Sequence, residues 1–156
     1  MLGTLVFSYG CFDVPHGSQE RNNLSAMVTA SVRIVDRTSY TVYIAREDPT
    51  GADKSVQLGL MNVTQDELAD DHGMLFVFRD DRLRNFWMRN TIIPLDIAYI
   101  RSDGIIVQTY TMQPLNESGY PSIEPARFAL EVKGGQFARW HVQPGDRVEI
   151  PPDLFD

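Results

Sequence analysis

Phe86-Trp87-Met88-Arg89-Asn90-Thr91-Ile92-Ile93-Pro94-Leu95-Asp96 packs two large aromatics, a thioether, a cation, an amide, a proline and a carboxylate into one short run. It is too polar for plain core and too aromatic for a plain loop. Phe86 and Met88 alternate with Trp87 and Arg89, so the first pair faces one way and the second the other. Arginine is costly to bury, so the Trp87–Arg89 face should reach water or a polar cleft. Pro94 has no N–H to give a ladder, and pairing should break or bulge there. The fold is expected to form around this stretch.

Strands are legible on both sides of it. Met74–Phe78 is apolar on both faces and reads as a central strand, and Phe86–Arg89 reads as a return to the same sheet. Leu95–Arg101 and Ile105–Met112 flank Ser102-Asp103-Gly104, a hairpin turn in which glycine tolerates positive φ. Further out, Val28–Val35 and Ser39–Arg46 alternate around Asp36-Arg37-Thr38 and form a second hairpin. Ser55–Met61 reads as a short helix. Thr64 and Glu67 have capping-box spacing and open a second helix that Gly73 ends. Gln113–Pro125 is the longest loop, and long ordered loops are often functional. Ala126–Val132, a helix at Gln136–His141 and a closing strand at Arg147–Ile150 follow, then a loose tail, Pro151–Asp156.

The chain has 156 residues, 43% hydrophobic and 22% charged, with net charge −7. That is ordinary globular composition, long enough for a self-sufficient core. The acidic balance argues against nucleic acid and anionic lipid as partners. No apolar run approaches a membrane span, so no transmembrane segment is expected. Cys11 is the single cysteine, and His16, His72 and His141 lack ligand spacing, so neither an intrachain disulfide nor a metal or other cofactor is expected. Met1–Tyr9 is apolar and precedes Gly10-Cys11. Localisation stays open between export, periplasmic or lipid-anchored through Cys11, and the cytoplasm. Residues 1–24 read as a flexible tail or signal remnant, and 25–156 as one β-rich domain. Oligomeric state is not legible.

Asp96 lies in Leu-Asp-Ile-Ala-Tyr-Ile, apolar on both faces, so its carboxylate must be hydrogen-bonded, paired or protonated. Either it serves chemistry or it ties down backbone N–H groups near Pro94. Glu131 lies opposite Phe128, Leu130 and Val132 on its strand and reads as facing water or a groove, water being the simpler choice. Trp87 and Tyr120 offer flat faces for a ring. No nucleophile elbow, phosphate loop or metalloprotease helix is present.

Gly59-Leu60-Met61, Gly73 to Phe78, the run Phe86–Asp96, Asp103-Gly104, Tyr120-Pro121-Ser122, Pro125-Ala126-Arg127, Leu130-Glu131 and Pro144-Gly145-Asp146 occur in one order. Together they resemble the prokaryotic family known as domain of unknown function 192, from about Val42 to Ile150. The resemblance implies a compact β-rich domain with a few short helices and, in many members, an export signal; it implies no activity. Its motif positions fall on Gly59, Met61, Trp87, Met88, Asn90, Thr91, Pro94, Asp96 and Glu131. Where the family carries an arginine shortly before Gly-Leu-Met, this chain has Val56, and the loop before Tyr-Pro-Ser lacks the family's frequent cysteines.

The expected fold is α+β: a mainly antiparallel, curved sheet or partly open β-barrel with two or three short helices on one side. The expected function is binding of a small polar ligand, a carbohydrate or other polar ring, by Trp87, Arg89, Asn90, Asp96, Tyr120 and Glu131. Trp87 and Tyr120 would stack, Asn90, Asp96 and Glu131 would hydrogen-bond, and Arg89 would orient an acidic group. One alternative is a hydrolase or lyase with Asp96 and Glu131 as acid and base, which requires unequal environments for the two carboxyls. Another is a protein-interaction module with Trp87 as its hot spot.

Overall fold

The structure, a computed structural model, describes residues 19–155. The strands are β1 (Thr29–Ile34), β2 (Thr38–Arg46), β3 (His72–Arg82), β4 (Asn85–Phe86), β5 (Leu95–Ile100), β6 (Ile106–Met112), β7 (Tyr120–Pro121), β8 (Ala126–Lys133) and β9 (Val148–Glu149). Two short helices, α1 (Ser55–Leu58) and α2 (Gln136–Trp140), complete the regular structure together with two 3-10 turns. Seven strands make one sheet in the order β6-β5-β8-β3-β2-β1-β9. All its pairings are antiparallel except β2 with β3. Both expected hairpins form, and Gly104 takes φ +83° in the turn between β5 and β6.

The sheet curls into a half-barrel. Its two edges approach through a bridge between Ile105 and Arg147, and Val148 N–H donates to the Gly104 carbonyl at 2.7 Å. Edge strands joined this way offer less unpaired backbone to other chains. Val32, Ile34, Ile106 and Val148 come from opposite edges yet share a buried cluster with Leu75, Leu130 and Val132, which makes that face the concave one. Phe137 of α2 and Leu154 pack into the same cluster.

The convex face is also dry. Parallel neighbours need a crossover of a dozen or more residues, and 47–71 supplies it between β2 and β3. Leu60, Val63 and Leu68 from that crossover lie on Met74, Phe76, Ile97 and Tyr99, joined by Met88 and Ile93. All six residues of β5 are buried as a result. The helices therefore divide between the two faces, α1 on the convex side and α2 on the concave one, rather than sharing a side. Gly73 allows β3 and β8 to meet: a Cβ there would collide with the Glu131 carbonyl and sit 2.8 Å from Val132 Cγ1.

Local expectations change in four places. The helix expected from Thr64 is a series of turns, although Glu67 does accept from Thr64 N–H at 2.8 Å and from its hydroxyl at 2.9 Å. The box satisfies a tight turn, and no apolar repeat follows to sustain a helix. Phe86–Arg89 does not rejoin the main sheet; only Asn85–Phe86 pairs, with Tyr120–Pro121, in a separate ribbon. The carboxy-terminal tail is not loose, because Leu154 is buried, Phe155 packs edge-on against Phe128, and Arg127 donates to the Phe155 carbonyl at 2.8 Å.

The fourth change lies at the other end. The last residues of the expected tail dock on the fold: Asn22 is buried and donates to the carbonyls of Ser55 and Gly59, both at 2.9 Å, while Leu24 enters the convex core. Arg21 pairs with Glu67 at 2.9 Å. Cys11, His16 and the apolar start lie outside the described residues.

Candidate functional site

A cleft of about 450 Å³ opens on the convex side. The crossover brings Val56, Gln57, Gly59, Leu60 and Met61 to one wall, and the segment after β3 brings Leu83 to Trp87 and then Thr91 to another. Phe76 and Phe78 of β3 and Glu131 of β8 line it from the sheet. Phe86 stands edge-on to Phe76, with ring centroids 4.8 Å apart, and to Tyr99 at 5.7 Å, so the aromatic wall is interlocked rather than stacked.

Glu131 is the unusual group. It sits opposite Met74 on β3 and Ile97 on β5, in the middle of the sheet, and is 4% exposed. The solvated position expected for it is overturned, because the crossover covers the convex face that simple alternation left open. Loss of hydration pushes its carboxyl up to about 8. No hydrogen bond or ion pair from the described residues reaches it. Near neutral pH it is mostly a carboxylic acid, a donor as well as an acceptor.

Trp87 is 47% exposed and lines the same cleft, as alternation with the buried Met88 requires. Arg89 is exposed and lies outside the cleft lining, with its guanidinium carbon 5.4 Å from the Trp87 ring centroid. Asn90 is exposed and lies outside the cleft lining; it takes φ 54°, which asparagine tolerates better than most residues, and its carbonyl accepts from Asn62 N–H at 2.8 Å. Tyr120 lies outside the lining as well. Its hydroxyl accepts from Gln113 N–H at 3.2 Å and Asn116 Nδ2 at 3.0 Å, and its ring meets Tyr110, so it pins the long loop.

Asp96 is fully buried with two partners, as a carboxylate in that strand requires: Thr111 Oγ1 donates at 2.7 Å and Phe137 N–H at 2.8 Å. It pairs with Val132, whose side chain is concave, whereas Glu131 pairs with Ile97 on the convex face. The two carboxyls thus lie on opposite sides of the sheet and do not face each other across a cleft. Asp96 ties α2 to the start of β5.

Residue-by-residue reasoning missed the floor and walls: Phe76 and Phe78, taken as central-strand core, and Phe86, Leu60, Gln57, Arg84 and Asn85. The family motif did hold a signal, since Gly59, Met61, Trp87, Thr91 and Glu131 among its positions all line the cleft. Arg84 is the other charged lining residue. Its guanidinium donates to Asp80 and to the Ala126 carbonyl and lies 4.0 Å from the Phe78 ring centroid. No group of three His, Cys, Asp or Glu side chains able to hold a metal exists among the described residues. No helix there is long and apolar enough to cross a membrane.

A β-rich half-barrel with an aromatic cleft around one buried acid defines the class of domain. The family model DUF192, described as Uncharacterized ACR, matches residues 32–150, and the chain belongs to this family. No curated protein matches it. Among solved structures it is similar to one from Sinorhizobium meliloti 1021 described as a "putative transcription regulator". The two share 37% identity with TM-score 0.68, over 79% of this chain and 94% of that one. It is also similar to a protein of unknown function from Novosphingobium aromaticivorans DSM 12444, at 30% identity and TM-score 0.68, over 84% of this chain and 91% of that one.

Proposed function

We propose that the domain binds a small ring-bearing molecule in the convex cleft, with the ring against Trp87 and the phenylalanine wall and one polar group at Glu131. The observation that carries this is Glu131 itself: an acid 4% exposed, without a partner among the described residues, lining an otherwise largely apolar cleft, whereas the buried Asp96 is satisfied by two hydrogen bonds. A carboxyl left this way costs stability, and a ligand's polar group would complete it. Arg89, against the Trp87 ring, would orient an acidic substituent if the ligand carries one. Asn90, Asp96 and Tyr120 belong to the scaffold in this reading. The opposed carboxyls give a paired acid–base mechanism no geometric support, and the net charge of −7 gives nucleic-acid binding none.

The test is a fragment screen by thermal shift on the wild type and on Trp87→Ala. A native-state binder raises the midpoint by mass action. Because Trp87 is half exposed, its truncation should cost about 1–2 kcal/mol, less than the ~3–5 kcal/mol of a core aromatic. Hits should lose their shift in the variant. Hits that keep it, or a variant that unfolds outright, would place Trp87 in the core and the ligand elsewhere.

A further inference from the structure

We infer that the cleft selects a cation: its ligand is a protonated amine carried on a flat apolar ring, with the ammonium at Glu131 and the ring among Phe76, Phe78, Phe86 and Trp87. The inference rests on the binding function proposed above and names its ligand class. If the site needed only a hydrogen-bond donor for a neutral ligand, a glutamine amide would supply one without the pH-dependent cost of a buried acid. An acid is worth retaining where the ligand's charge is to be read.

The surroundings agree. From β3, Met74 stands opposite Glu131 and the two phenylalanines line the cleft with it; from β5 its neighbours are Ile97 and the buried Tyr99, whose hydroxyl donates to the Tyr120 carbonyl. The crossover wall, Val56 to Met61, brings no charge. Arg84, from the segment after β3, lines the cleft but is held by Asp80 and the Ala126 carbonyl, and it forms no ion pair with Glu131. Among the described residues no cation therefore pairs with the acid. Two ring faces at the margins of this wall carry a guanidinium, Arg84 over Phe78 and Arg89 over Trp87, so these aromatics accept positive charge. The net charge of −7 draws cations from solution.

Binding would then move one proton. Glu131 enters as the carboxylic acid, the amine as ammonium; the complex holds carboxylate and ammonium, and the acid's proton goes to the buffer. Affinity should rise with pH until the acid is ionised in the free protein. Benzylamine and its neutral analogue benzyl alcohol are the probes, titrated by NMR against the full chain at about pH 6 and pH 8. Benzylamine should shift resonances of Trp87, Phe76 and Phe86, bind about tenfold or more tighter at the higher pH, and surpass the alcohol by a similar factor. Glu131→Gln should erase both preferences. If the alcohol binds in the cleft as well as the amine, or the amine's affinity is flat or falls with pH, the charge selection is wrong while the cleft remains a binding site. If neither probe perturbs the cleft at any pH, both the selection and the binding function fall.

Discussion

Asp96→Ala is expected to lower stability by about 2–3 kcal/mol, because it orphans the buried Phe137 N–H and removes the Thr111 hydrogen bond. Phe137 N–H and the Thr111 hydroxyl both end on this carboxylate, at 2.8 and 2.7 Å; Thr111 is exposed and can turn to water, but the Phe137 N–H is buried and cannot. The loss also frees the start of α2, which carries Phe137 into the concave core. Urea unfolding measures the effect, and a loss below about 1 kcal/mol would mean that the carboxylate does not hold α2. Folded molecules of the variant should keep whatever ligand the wild type takes, since the cleft is on the other face of the sheet.

Glu131→Gln should act in the opposite sense and depend on pH. The unfolded chain releases this proton near 4.5, the folded one only near 8. Between those values the native state holds more protons than the unfolded one, so stability falls as pH rises. The contribution is full below about 4.5, declines through the interval and is gone above about 8. The total should be a few kcal/mol, on the order of 1.4 for each pH unit separating the two states. Glutamine does not titrate, so the variant should lose this part of the slope between pH 5 and 9. The same slope in both proteins would place a different group at the origin of the pH dependence.

Much of the scaffold was readable because its rules are local. Alternation marked both hairpins, Gly104 marked the turn between β5 and β6, and the doubly apolar run at Leu95–Ile100 marked a strand buried on both sides. The same rule forced partners on Asp96. What stayed hidden depends on where a non-regular segment lands. Residues 47–71 look like loop and short helix, and nothing local says that they cross from β2 to a parallel β3 and cover the convex face. That single fact converts Glu131 from a solvated residue to a buried one and turns Phe76 and Phe78 from plain core into cleft wall. Asn90 and Tyr120 lie outside the cleft lining for a related reason: asparagine and tyrosine serve turns and loop anchors as readily as ligands, and here they do so through backbone geometry and Gln113 and Asn116. Trp87 was placed correctly because Arg89 two residues on could not be buried.

The most direct test is the titration of the Glu131 carboxyl carbon by NMR in protein labelled at glutamate, assigned by its loss in Glu131→Gln. A midpoint near 8 in the free protein, falling once benzylamine is bound, is the expected result. A midpoint near 4.5 would describe a hydrated or internally paired carboxylate and would contradict the buried, unpartnered acid on which the site is built.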